Sequence, residues 1–125
     1  MGIVDALLGN ASEVDVSKVQ EELAPILADS EEVQHVYKLI RDMYVFTQRR
    51  LILIDKQGIT GRKTEYHSIP YKSITHFVVE TAGHFDLDAE LKIWISSTEE
   101  PLVKELKGSS DVIAVQKALA TFMFS

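Results

Sequence analysis

Between Arg49 and Ile95 the chain is built on a two-residue period. The runs RRLILID, TEYHSIP, SITHFVVET and LDAELKIWI alternate or fill with apolar residues, and breaks containing Gly or Pro separate them. Alternation of this kind gives a strand one buried and one solvated face, and frequent turn residues keep such strands short and antiparallel. An amphipathic segment then closes the chain. Strands first and one helix last restrict the fold to a small antiparallel barrel or sandwich with a capping helix.

The ends are helical in pattern. Ile3, Val4, Leu7 and Leu8 share a face, with Gly9-Asn10 as a stop, and Ser17-Lys18-Val19-Gln20 reads as a capping box opening a second helix. Val16, Val19, Leu23, Ile26 and Leu27 form its stripe, and Pro25 shortens it. From Glu32 the period changes to two. Val33, His35, Tyr37 and Leu39 alternate with Gln34, Val36, Lys38 and Ile40 up to a turn at Arg41-Asp42. Strands at 44–47 and 50–55 meet at Gln48-Arg49, and Leu51–Ile54 is apolar on both faces, as in a strand covered twice.

Asp55-Lys56-Gln57-Gly58 reads as a hairpin turn, and Pro70 ends the strand that begins near Arg62. On the strand from Ser73 to Thr81, Ile74, His76 and Val78 fall on one face and Phe77 and Val79 on the other, up to a turn at Ala82-Gly83. Strands at 87–95 and 101–107 follow. Gly108-Ser109-Ser110-Asp111 caps a last helix with Val112, Val115, Leu119, Phe122 and Met123 as its stripe. Seven strands result. Residues 1–30 form a helical extension and 31–125 the barrel with its helix, one domain overall.

Composition removes several function classes. A net charge of −6 argues against nucleic acid or anionic membrane as bulk partners. The absence of cysteine excludes disulfides, thiolate metal sites and a cysteine nucleophile. No apolar run nears the ~20 residues that span a bilayer, and the opening MGIVDALLGN lacks a basic leader, so a cytoplasmic protein is expected.

Thr47-Gln48-Arg49-Arg50-Leu51, Asp55-Lys56-Gln57-Gly58-Ile59-Thr60-Gly61, Ile69-Pro70-Tyr71-Lys72-Ser73-Ile74 and Glu80-Thr81-Ala82-Gly83 with Phe85-Asp86 resemble the bacterial pleckstrin-homology-like family, over essentially the whole chain. The resemblance implies two bent sheets packed nearly orthogonally, a helix plugging one corner, homo-oligomers with suggested ring assemblies, and no enzymatic activity.

The eukaryotic relatives bind phosphoinositide heads through basic residues on loops at the open barrel end. The matching positions carry Arg41, Lys56, Arg62 and Lys63, but also Asp42, Asp55, Glu99 and Glu100. The family's basic-x-arginine triplet is missing, since Leu51 follows Arg49-Arg50. Solvated turn residues are the favoured reading, and binding of an anionic lipid headgroup or small anion is the alternative.

His84, Asp86, Asp88 and Glu90 share a strand face, but same-face neighbours lie nearly 7 Å apart, too far to converge on one ion unaided. Trp94 on that face suits an interface anchor or, equally, burial against one of the N-terminal helices. His35, His67, His76 and His84 show no paired spacing, and no nucleophile elbow, phosphate loop or dinucleotide fingerprint occurs. Neither a catalytic residue nor a metal or cofactor is expected.

The N-terminal helices remain. A barrel with its plug does not need Ile3, Val4, Leu7 and Leu8 for its own core, so they cover an outer sheet face or meet another subunit. The expected function is a non-catalytic scaffold or protein-interaction module acting as a homo-oligomer.

Overall fold

A computed structural model describes residues 16–38, 42–57, 63–81, 89–106 and 109–124. Its seven strands are β1 (Val33–Lys38), β2 (Asp42–Thr47), β3 (Arg50–Gln57), β4 (Lys63–Pro70), β5 (Ile74–Thr81), β6 (Ala89–Ile95) and β7 (Leu102–Leu106). Helix α1 covers residues 16–23, and helix α2 is Ser109–Met123. The strands β1–β2, β2–β3, β5–β6 and β6–β7 pair antiparallel, in one sheet ordered β1-β2-β3-β4 and another ordered β5-β6-β7. The chain divides into two compact units, one ending at Ser68 and the next starting at Ile69. The strand count and the strands-then-helix order match the sequence reading.

In the first unit α1 lies on the sheet through Val19 and Leu23, which are buried with Val33, Val36, Val45, Ile52 and Ile54. Val16, Leu27 and Met43 pack at the margin. Each fully buried aliphatic chain contributes about 1.5–3 kcal/mol. The opposite sheet face is more aromatic. Tyr44, Phe46, Leu51 and Leu53 are buried there, and Tyr37 meets Phe46 edge-on at 5.6 Å. Residues 51–54 are therefore buried on both faces, as their unbroken apolar run requires.

Several local expectations are corrected. Val16 is already helical, so Ser17 lies inside α1 and is not its cap. Gln20 does not close a capping box: its Oε1 accepts the Val33 N–H at 2.7 Å. Ile26 falls beyond the helix, in the turn at Pro25, and is exposed. Asp55, Lys56 and Gln57 belong to β3 because the β2–β3 pairing runs out to Asp42 opposite Asp55, and Asp42 likewise opens β2 instead of forming a turn. Arg41 and the turns around Gly58 and Ala82-Gly83 lie outside the described residues.

Two irregularities break the simple alternation. The β1–β2 register shifts between Val33 and His35, and this brings Val33 and Val36 into one core while His35 is exposed. The β5–β6 register shifts between Ile74 and His76, so Ile74 is buried whereas His76 and Val78 are exposed. An extra residue in one strand of a pair reverses the facing of everything after it, so a strict period of two misassigns those faces.

In the second unit Ala89, Leu91 and Ile93 of β6 and Leu106 of β7 are buried on one sheet face. A short 3-10 turn, Tyr71–Ser73, joins β4 to β5, and α2 contacts both that turn and β5. Helix α2 buries Val112, Val115, Ala118 and Leu119, and Phe122 stacks on Tyr71 at 5.3 Å. That stripe is the one its 3.6-residue period specifies.

Candidate functional site

The most elaborate polar arrangement lies between α1 and the β2–β3 hairpin. Glu31, 3% exposed, is the hub. Its Oε2 accepts from Thr47 Oγ1 at 2.7 Å and Arg50 Nε at 2.9 Å, and its Oε1 accepts from the Ala28 N–H at 2.9 Å and Arg50 Nη2 at 3.0 Å. Arg50 also donates to the Ile26 carbonyl and to Ser68 Oγ, both at 2.8 Å. Gln48 closes the rim, donating to the Ser30 carbonyl at 2.7 Å and accepting the Glu32 N–H at 2.8 Å. Ser30 takes the left-handed conformation, φ 65°, to turn the chain there.

Burial alone would raise the Glu31 pKa. The hydrogen bonds from Arg50, Ala28 and Thr47, with the Arg50 charge, outweigh it and hold the carboxyl below its ordinary value. With four donors on two oxygens the carboxylate is saturated, so this network clamps elements together and leaves no open valence for a ligand. Sequence reading missed it because Thr47 and Arg50 lie 16 and 19 residues from Glu31, and Arg50 figured there only at the start of a strand and within a family motif.

An open site lies at the other end of the same sheet face. A cleft of about 120 Å³ is lined by Lys18, Val19, Glu22, Val36, Lys38, Met43 and Lys56. The local structure explains the set. Val36 and Lys38 share a face of β1, Ile54 and Lys56 a face of β3, and Lys38 pairs with Met43, which pairs with Ile54. The sheet face is thus apolar beneath α1 and turns cationic at its end. Lys18 and Glu22, four apart on α1, flank the same opening beside buried Val19.

Of the four cations expected at an anion site, Lys56 lines this cleft. Lys63 is exposed at the start of β4 and does not line it, and Arg41 and Arg62 lie outside the described residues. Lys18 and Lys38 were not singled out by sequence. Only the packing of α1 on the sheet and the β1–β2 and β2–β3 pairings bring residues 18, 38 and 56 together.

A second surface is the outer face of the β5-β6-β7 sheet. Trp94 pairs with His76 across the strands, and their rings stack at 4.4 Å with planes 14° apart. Next come Val78, Lys92 and Val103 in register, with both valines exposed, and then Glu80, Glu90 and Glu105. Lys92 donates to Glu80 at 2.8 Å, and that hydrogen bond, with the Glu80 charge, raises its pKa. The face grades from an aromatic end to a row of carboxylates. Trp94 therefore lies where alternation placed it, whereas Ile3, Val4, Leu7 and Leu8 are outside the described residues.

Among the described residues no cluster of three or more His, Asp or Glu could hold a metal ion, and His84, Asp86 and Asp88 are outside them. No helix there is long and apolar enough to cross a membrane.

Seven antiparallel strands in sheets of four and three, followed by a C-terminal helix, define a protein of the pleckstrin-homology class. A family model described as Bacterial PH domain matches residues 2–123, and the chain belongs to that family. The pleckstrin homology domain from Shewanella amazonensis SB2B is 63% identical in its crystal structure, with a TM-score of 0.86 over 99% of this chain and 100% of that one. A DUF1696 family protein with a pleckstrin-homology domain, from Shewanella loihica PV-4, is 59% identical with a TM-score of 0.78, over 86% of this chain and 92% of its own. The uncharacterised protein YjqA of Bacillus subtilis strain 168 is 60% identical over 121 residues, 96% of this chain and 97% of YjqA.

Proposed function

We propose that the chain is a cytoplasmic, non-catalytic interaction module that works as a homo-oligomer. A second copy meets it through the outer face of the β5-β6-β7 sheet, with the apolar segment of Ile3, Val4, Leu7 and Leu8 contributing to the contact. The family's fold is generally a non-catalytic binding module, which supports the first part. The observation that carries the second is the Trp94–His76 stack beside exposed Val78 and Val103. Tryptophan dominates binding hot spots, and grouped exposed apolar side chains on a sheet mark contact surfaces. Meeting aromatic end to aromatic end keeps the Glu80, Glu90 and Glu105 ends of the two faces apart. Sedimentation at micromolar concentration tests this. An assembly that Trp94→Ala shifts to smaller species supports the reading, and a monomeric wild-type chain ends it.

A second reading, capture of an anionic lipid headgroup or small anion, is favoured by one observation: Lys56 lies with Lys18 and Lys38 around a single cleft.

A further inference from the structure

The cleft beside α1 runs against the charge of the chain that carries it. The protein has a net charge of −6, yet here three ammonium groups meet one carboxylate. Among the described residues no side-chain hydrogen bond or ion pair is made by Lys18, Lys38, Lys56 or Glu22, whereas Arg50 and Lys92 are each matched by a glutamate. The floor is apolar, made by Val19, Val36 and Met43.

We infer that this cleft binds the phosphate group of a small phosphate monoester, with Lys18, Lys38 and Lys56 on its oxygens and Val19, Val36 and Met43 against the carbon next to the ester oxygen. The inference rests on the second reading above and narrows it from any anion to one chemical class.

Charge, shape and size support that choice. Three lysines less one glutamate leave two positive charges, which match a phosphate monoester carrying about −1.5 to −2 at pH 7; a carboxylate carries half as much. Lysine serves phosphate as a compact charge on a flexible stem, and those stems can lie along the apolar floor while their heads stay at the rim. Glu22 opposes the phosphate but can accept a hydrogen bond from a hydroxyl elsewhere on the ligand. A volume of about 120 Å³ falls well below the roughly 300–1,000 Å³ of sites for drug-sized ligands. It suits one phosphate and a few carbons, not a multiply phosphorylated ring.

The test is a backbone-amide NMR titration of the full chain with glycerol 3-phosphate, beside sulfate and acetate. Flotation with phosphatidylcholine vesicles, plain or containing phosphatidic acid, runs in parallel. Saturable shifts are expected at residues 18–22, 36–38, 43 and 56. Affinity should fall about fivefold in Lys38→Gln or Lys56→Gln and rise about twofold in Glu22→Gln, each replacing one exposed charge. It should also strengthen from pH 5 to pH 7 as the monoester loses its second proton near pH 6, a rise that sulfate does not share.

Flotation with phosphatidic acid assigns the ester to a lipid headgroup, and its absence beside saturable glycerol 3-phosphate assigns it to a soluble metabolite; both uphold the site. If sulfate and acetate bind as well as the monoester, the phosphate inference falls and the anion reading stands. If no anion saturates, both fall. Unchanged affinity in the lysine variants overturns the site. So does a change in their sedimentation without anion binding, which would place these lysines in a contact between copies.

Discussion

The two units hold a helix against a sheet by different means. In the first, the described part of α1 is eight residues long and only Val19 and Leu23 are fully buried, so directional bonds from Gln20, Glu31, Gln48 and Arg50 complete the attachment. In the second, α2 runs for 15 residues and buries Val112, Val115, Ala118 and Leu119, with the Tyr71–Phe122 stack at its end. Apolar area grows with helix length, so a longer helix can rely on burial, while a shorter one gains more from each hydrogen bond that fixes its position.

Four measurements sharpen or break that contrast. The largest effect belongs to Arg50→Ala, which leaves the buried Glu31 carboxylate without its cation and should cost about 3–5 kcal/mol in urea unfolding. A cost under about 1 kcal/mol would show that the clamp is incidental to stability. Next, Leu119→Ala opens a cavity under α2 and should cost about 2–4 kcal/mol by the same assay.

Third, the two attachments should part with pH. Because the folded Glu31 carboxyl titrates below its ordinary value of 4.5, its contribution is complete above that value and is lost as pH falls through the folded pKa. The stability gap between wild type and Glu31→Gln should therefore hold from pH 7 to about 5 and shrink in more acidic buffer, while the Leu119→Ala gap stays level. Parallel behaviour of the two gaps would remove the electrostatic account. The smallest effect is that of Gln48→Ala, about 1 kcal/mol, from the loss of two rim hydrogen bonds. A normal melting temperature there would confine the clamp to Glu31, Thr47 and Arg50.

The second unit was the more legible from sequence. The α2 stripe and the alternation of β6 are periodic signals that local residues set and burial respects. The unbroken Leu51–Ile54 run likewise announced a strand covered on two faces. In the first unit the same reasoning failed where one residue mattered. A bulge near Gln34 leaves no mark in composition, and it put Val33 and Val36 together on the α1 face and His35 on the other. Glu31 carries no local sign of burial, since its partners Thr47 and Arg50 reach it only after β2 and β3 pair. The lysine cleft was half visible for the same reason. Lys56 reads as part of a hairpin turn at the open barrel end, but its neighbours Lys18 and Lys38 are brought near by tertiary packing alone.

The saturated carboxylate at position 31 also acts as a checkpoint on alignment. A slip of one residue along β3 would carry the Arg50 guanidinium to the far side of the sheet and strand an anion in a dry interior. Misthreaded versions of the hairpin are thereby penalised before any partner arrives, and the correct threading is the one in which that anion is neutralised.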